Sequence, residues 1–389
     1  MNNESRAPAY HVIEAAPPPS RFARGWHCLG LTEIFRDGKP HKIDIFGTKL
    51  VVFQGESGGL HVLNAYCPHL GGDLSDGQII GDTIACPFHD WRWAGDGSCA
   101  GIPYARKLPP RAKTKSWPTM EENDQLFVWN DPEGNPPIAE QIIPDLKERF
   151  PGTWSPWFWE SVKIDTNCRE LLDNVADVAH FFYVHGEGRA HWASYFKNIY
   201  EGHNATQIME QLDPPPGMDY DRGGSFNGEI PDEPWTRSEA TYHGPAYMID
   251  YLWRNTGSEK WIAALINAHY PIDPNSFMLH VGLTVRSEDS RTPEENQQIA
   301  DNVSKYFRDA FFQDVDIWKS KTRIDNPLLC DGDGPVYRLR RWYDQFYTDV
   351  ADIHPGMTRL VEVESDLTEA KEIWKKQAEE KIRAESETD

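Results

Sequence analysis

The stretch "CPHLGGDLSDGQIIGDTIACPFHDWRW" (67–93) sets two Cys/His pairs close together, Cys67 with His69 and Cys86 with His89. Each pair encloses a proline, Pro68 or Pro87, which pre-sets a tight loop, and Gly71 and Gly72 follow the first pair. Two such loops converging on one point require a scaffold of short strands and rigid turns, and the flanking sequence agrees. From Phe22 to Trp129, β segments alternate with Gly-containing turns, as in "HKIDIFGTKLVVFQGESGGLHVLNAY", and "QLFVWNDPEGNPP" ends the run in a turn cluster. The pattern predicts an antiparallel β-domain over 22–135, a loose arm before it (1–21) and a second domain after it (136–389).

Structural zinc sites usually draw two cysteines from one knuckle. Here each knuckle supplies one thiolate and one imidazole, which suits two metal ions with different appetites. In a Rieske [2Fe–2S] centre one iron takes two thiolates and the other two imidazoles. Cys67 and Cys86 would hold the first iron, and His69 and His89 the second. The glycines would let backbone N–H groups approach the bridging sulfides. A structural zinc knuckle is the alternative. The other cysteines, Cys28, Cys99, Cys168 and Cys330, are scattered through 389 residues. They read as small core or surface residues, not as a disulfide scaffold.

A cluster of this kind moves electrons singly, so the rest of the chain must use them. "NCRELLDNVADVAHFFYVHGEG" (167–188) contains Asn174, Asp177, His180 and His185. Asp177 and His180 lie three apart, neighbours on a helix face, so Asp177 is placed to bond the free ring nitrogen of His180. His180 and His185 are five apart. At roughly 100° per residue they diverge on a regular helix, which must end or widen before His185 if both bind one ion. A third ligand is expected downstream. Thr292-Pro293-Glu294-Glu295 opens a helix that should run to about Lys321. Val303, Phe307, Phe311, Asp314 and Trp318 form one stripe on it, and Asp314 is the polar intruder. Asp316 lies on another face with Lys319 three residues on. His180, His185 and Asp314 would make a facial triad for Fe(II).

The runs 239–255 and 260–286 are rich in aromatic and β-branched residues and read as antiparallel strands. Alternation along 239–255 puts Tyr242, Ala246, Met248 and Asp250 on one face, and Asn267 is a polar point in an apolar strand. Phe311 and Trp318 share the stripe of Asp314, and a flat hydrocarbon would be clamped by the aromatics and oriented by Asn267 or Gln207; ordinary core packing is the alternative for any one of these residues. "SDLTEAKEIWKKQAEEKIRAE" (365–385) is an amphipathic helix that docks through Leu367, Ala370, Trp374 and Ala378. A net charge of −22 repels polyanions, so nucleic acid is not the expected partner. No apolar run is long enough to span a membrane. The N-terminus lacks a secretory pattern, and a cytoplasmic location is expected.

These motifs resemble the oxygenase component of the Rieske non-haem iron oxygenases. Cys-x-His…Cys-x-x-His and Asp-x-x-His-x-x-x-x-His both match the family pattern. "CPHLGGDLS", "ACPFHDWRW", "DNVADVAHFFYVH", "YFKNIYEGH", "QDVDIWKSKTRIDNPLL" and "LRRWYDQFY" are similar to the 3-ketosteroid 9α-hydroxylase subfamily, over about 22–365. The cysteines of the respiratory branch are absent, with Gly72 and Phe88 in their places. The resemblance implies an α+β fold: an N-terminal Rieske antiparallel β-domain and a C-terminal helix-grip catalytic domain, assembled as a head-to-tail homotrimer. It implies 9α-hydroxylation of a 3-ketosteroid with O2 and with electrons from a separate flavin and iron–sulfur reductase. Asp177 and Asn174 are the catalytic candidates, and the resemblance implies that Asp177 would bridge to a cluster histidine, His69 or His89, of a neighbouring subunit and carry electrons between the two metal sites. "GEGRAHWAS" (186–194) and 213–235 depart from the pattern and are expected to border the substrate entrance. A bile acid or another polycyclic is the alternative substrate, and an electron carrier fused to a ligand-binding domain is the alternative class.

Overall fold

In the computed structural model, which describes residues 10–188, 190, 192–330 and 332–386, the alternating segments of the first third become three small antiparallel sheets. One pairs Gly25–Leu31, Gln125–Asn130 and Thr119–Glu122; a second pairs His41–Ile45, Thr48–Gln54 and Leu60–Asn64. The third contains Gln78–Ile80, Thr83–Ala85, Arg92–Ala94 and Cys99–Gly101. Apolar side chains from the second and third sheets, among them Val51, Phe53, Leu63, Ile84 and Trp93, bury the roots of Cys67 and Cys86.

The second part is built on one eight-stranded antiparallel sheet. Its order is Phe158–Ile164, Ser276–Val285, Lys260–Asp273, Tyr247–Asn255, Trp235–His243, Asn204–Glu210, Tyr195–Glu201 and Val361–Glu364. Each of the two long aromatic runs is therefore a hairpin and not one strand. Gly244, at φ +80°, turns the first, with Tyr242 facing Met248 across it. Pro274 and Asn275 turn the second.

Alternation gives the central strands two buried faces. Tyr247, Ile249, Tyr251 and Trp253, with Ile262, Ala264 and Ile266, pack on Trp26, Phe127 and Trp129 of the N-terminal sheets. The opposite face, with Leu252, Trp261, Ala263 and Leu265, receives the long helix Pro293–Ser320 through Val303, Phe311, Val315 and Trp318. That helix starts as its sequence dictates. Thr292 accepts from the Glu295 amide at 3.2 Å, and Glu295 accepts from the Thr292 amide at 2.8 Å. The C-terminal helix Thr368–Ser386 docks through Trp374 and Ala378, with Leu367 just before its start.

The arm is tied down where it is described. Glu14 N donates to Asn326 Oδ1 at 2.9 Å, and Asn326 Nδ2 donates back to the Val12 carbonyl at 3.0 Å. The looseness expected of 1–21 therefore does not hold from Val12 on; Met1–Ala9 lie outside the described residues.

Candidate metal centres and cavity

The two Cys/His knuckles are copies of one turn. Bridges Tyr66–Asp73 and Ala85–Arg92 close the loops 67–72 and 86–91. In each, the cysteine carbonyl accepts from the amide four residues on, Gly71 or Asp90, at 2.9 Å. In each, that same residue has positive φ, +77° at Gly71 and +54° at Asp90. The cysteine amide then donates five residues on, to Gly72 O at 2.8 Å or Trp91 O at 2.9 Å. The repeated geometry presents the side chains of both loops to one point. The rings of His69 and His89 meet edge-on, 4.7 Å between centroids, and Trp91 stacks on His69 at 4.5 Å.

Two observations fit a cluster between these loops. His89 Nδ1 is buried without a hydrogen-bond partner, an orphan that a metal would satisfy. A Cβ on Gly72 would stand 2.7 Å from Cys86 Sγ, so the loop needs glycine to come this close to the thiolates. Burial pushes the Cys67 thiol up, which a metal's positive charge would reverse.

The second centre is assembled from distant segments. Residues 167–188 do not form one helix. Two 3₁₀ turns, Cys168–Glu170 and Leu172–Val175, lead to a widened turn, Phe181–His185, in which the Gly186 amide bonds the Phe181 carbonyl five residues back at 2.9 Å. The extra residue offsets the five-residue spacing and brings the rings of His180 and His185 within 5.2 Å. The metal-binding atoms of His180, His185 and Asp314 all lie within 4.8 Å of one another, with His185 Nε2 3.3 Å from Asp314 Oδ2. Asp316 instead faces solvent and pairs with Lys319 at 3.4 Å.

The outer ring nitrogens are already engaged, as metal-binding histidines require. His180 Nδ1 donates to the Asp177 carbonyl at 2.7 Å, and His185 Nδ1 donates to Gln313 Oε1 at 3.3 Å. This corrects the expectation for Asp177: its backbone carbonyl, not its carboxylate, orients His180. The carboxylate caps the following turn, accepting from the Ala179 and His180 amides at 3.0 and 3.3 Å. Burial lowers the pKa of His180. For His185 burial acts the same way, but the Asp314 carboxylate outweighs it and the net shift is upward. A cation between three such ligands fits the site.

The triad opens on a cavity between the sheet and the long helix. Asn174, Gln207, Tyr242, Met248, Asn267, Phe311 and Trp318 all line it. Trp318 Nε1 donates to Asn174 Oδ1 at 3.4 Å. The sheet floor has four successive rows. Tyr242, Met248 and Asn267 form one row; Gln207, Ala240, Asp250 and Leu265 the next; Met209, Ser238, Leu252 and Ala263 the third. Gln211, Thr236, Arg254 and Trp261 close the series. Among the described residues, neither 186–194 nor 213–235 lines the cavity, against expectation. Trp192 and Ala193 pack beneath the C-terminal helix, and Met218, Tyr220, Phe226 and Ile230 pack on the far face of the sheet. Arg189 and His191 lie outside the described residues.

Sequence reasoning missed Trp91, Gln313, Ser238 and Arg254. Gln313 could not be seen because its partner is 128 residues away. Ser238 immediately precedes the aromatic run 239–255, on the strand next to that of Asp250.

Residues 128–347 match the family model described as the 3-ketosteroid 9alpha-hydroxylase C-terminal domain, and residues 25–118 match the Rieske [2Fe-2S] domain. A probable 3-ketosteroid-9-alpha-monooxygenase oxygenase component of Rhodococcus rhodochrous is 50% identical over 377 residues, covering 96% of this chain and 92% of that protein. The oxygenase component of that name in Mycobacterium tuberculosis is 45% identical over 385 residues, 99% of this chain and 97% of its own. Among solved structures, apo dicamba monooxygenase superposes with a TM-score of 0.63 at 18% identity, over 84% of this chain and 98% of that one.

Proposed function

The chain belongs to the 3-ketosteroid 9α-hydroxylase oxygenase family, and on that premise we propose that it hydroxylates the 9α carbon of a 3-ketosteroid such as androst-4-ene-3,17-dione. One substrate C–H and O2 become C–OH and water, with two electrons from a separate reductase and two protons. The observation that carries this reading is the coexistence of two unlike metal sites in one chain. Two Cys/His knuckles lie on the surface, and a two-histidine, one-carboxylate triad opens on an aromatic cavity.

Cys67, His69, Cys86 and His89 would hold the Rieske cluster, which supplies electrons one at a time. His180, His185 and Asp314 would hold Fe(II), which supplies oxygen activation. The protein's own residues do the positioning. Asp177 O and Gln313 fix the two imidazoles, and Phe311 and Trp318, which line the cavity, would confine a ring system and so limit which carbon is presented to the triad. The knuckle rim supports a trimer. Leu70 and Phe88, beside the cluster histidines, are 64% and 60% exposed, apolar surface that a neighbouring copy would cover. The Asp177 carboxylate, 43% exposed, is free to reach His69 or His89 of the partner subunit.

A second reading, a steroid with an acidic side chain such as a bile acid, is favoured by Arg254. It lines the cavity, stacks 5.0 Å over Tyr306, and has no carboxylate partner among the described residues. The test is turnover with reductase, NADH and O2 on a panel of 3-ketosteroids and bile acids, followed by mass spectrometry. A 9α-hydroxylated 3-ketosteroid is expected. Product from bile acids alone would replace the first reading with the second, and iron at two per chain with no product would indicate an electron carrier.

A further inference from the structure

One buried carboxyl in the cavity wall has no part in the metal sites. Asp250 sits in the second row of the floor, between Ala240 and Leu265, and is 9% exposed. Ser238 Oγ donates to Asp250 Oδ1 at 2.7 Å. No basic side chain forms an ion pair with Asp250 among the described residues. Its cross-strand neighbours are Ala240 and Leu265, with Gln207 one strand beyond, and none of these carries charge. Glu239 acts both ways, its charge adding repulsion and its backbone hydrogen bond, like that of the Ser238 hydroxyl, favouring the ionised form, but burial outweighs both hydrogen bonds. Burial, with that carboxylate beside it, raises the Asp250 pKa from 3.8 to about 7. An unpaired carboxylate here would be costly, whereas the neutral acid is a strong hydrogen-bond donor facing an apolar space.

A cavity built to exclude water gains nothing from an ionisable group in its wall unless a ligand uses it. We propose that the Ser238–Asp250 pair is a recognition site for a carbonyl oxygen of the substrate, with the Asp250 carboxyl as donor and Ser238 holding its orientation. The inference rests on the steroid reading and deepens it. It assigns the cavity a fixed polar anchor, so that the distance from anchor to triad, and not apolar fit alone, selects the carbon presented. The oxygen could come from either end of a 3,17-diketone, since both are carbonyls of the same chemistry.

The test is equilibrium binding to the fully metallated protein, read by tryptophan quenching. The ligands are androst-4-ene-3,17-dione and its 3-deoxy and 17-deoxy analogues. Iron content and cluster absorption serve as the folding check. The unaltered protein should bind one deoxy analogue about ten-fold or more weakly than the diketone, and which analogue names the end. Asp250→Leu should lose that discrimination and bind the diketone as weakly as the analogue. Asp250→Asn, which keeps a donor, should retain most of it, and Ser238→Ala should fall between. Unchanged discrimination in a fully metallated Asp250→Leu overturns the anchor alone. Should Asp250→Leu fail to load iron, equal binding of all three ligands by the unaltered protein and by Asp250→Asn overturns it. Failure of the unaltered protein to bind any of the three overturns the steroid reading and the anchor with it.

Discussion

The two metal sites solve opposite problems. The knuckle site is local: its proposed ligands come from 67–89, each loop is closed by its own bridge, and the histidines sit at the rim beside exposed Leu70 and Phe88. The triad is non-local: His180 and His185 precede Asp314 by more than a hundred residues, and burial and aromatic packing hold them at the base of a cavity. A site that passes electrons benefits from exposure, because partners must come close to it. A site that activates oxygen benefits from enclosure, because water competes there. The difference teaches that turn geometry presets each half of the knuckle site, with one small core holding the halves together, whereas the enclosed centre inherits its geometry from the whole domain.

The sharpest way to break this contrast is reciprocal ablation. His89→Ala should abolish the visible absorption and the rhombic EPR signal of the cluster while the mononuclear iron stays. Asp314→Ala should do the reverse, and neither should form product. Asp316→Ala is the internal control. Its ion pair with Lys319 is exposed and worth about 0–1 kcal/mol, so iron content and turnover should stay near normal. Loss of both signals in either ablation would show that the sites are not independent.

Next in size is Asp177→Asn. Asparagine caps a helix as well as aspartate, so both metals should stay. If the carboxylate carries the link between the sites, rapid mixing will find a cluster that is reduced by the reductase but fails to reoxidise with O2 and substrate. Reoxidation at the unmodified rate would leave Asp177 as a cap alone.

A matched glycine pair follows. Gly72→Ala puts a Cβ 2.7 Å from Cys86 Sγ, and Gly186→Ala puts one 1.9 Å from the Ala190 carbonyl. The first should depress cluster occupancy only, and the second mononuclear iron only, each strained by about 1–3 kcal/mol. Metal analysis of the two variants reads this directly. The smallest expected effect is Gln313→Ala. Freeing His185 Nδ1 should weaken iron retention about 10–100-fold under chelator challenge, with the cluster spectrum unchanged.

The same contrast explains what could be read in the sequence. The knuckles were legible because spacing, prolines and glycines encode a turn directly. The long helix was legible because Thr292 and Glu295 mark its start and Asp314 interrupts an apolar stripe. The demand that the chain widen before His185 followed from counting residues, and the chain does widen. The hairpins were misread as single runs because the aromatic and apolar residues resume within a few positions on either side of Gly244-Pro245 and Pro274-Asn275. The signal was the Gly-Pro and Pro-Asn pairs themselves. The contact between Asp177 and the His180 ring was assigned to the wrong oxygen because three-residue spacing does not tell a carboxylate from the carbonyl of the same residue. The loop 186–194 was placed at the mouth because it follows His185 and 213–235 because it departs from the family pattern, whereas Trp192 and Ala193 pack in the cluster with Trp374, and Phe226 packs on Trp253.

The widened turn at Phe181–His185 has a genetic consequence. Its histidines converge because the chain carries one residue more than an α-helical turn would hold. Removing a single codon there would restore ordinary pitch and swing whatever follows by roughly 100°. Adding one back would restore the site whole. Replacing a ligand such as Asp314 removes one of the three donors, whereas an in-frame indel here leaves every ligand in the chain and displaces them together. A lineage could therefore shed oxygen chemistry and keep the scaffold, the cavity and the electron-transfer domain untouched.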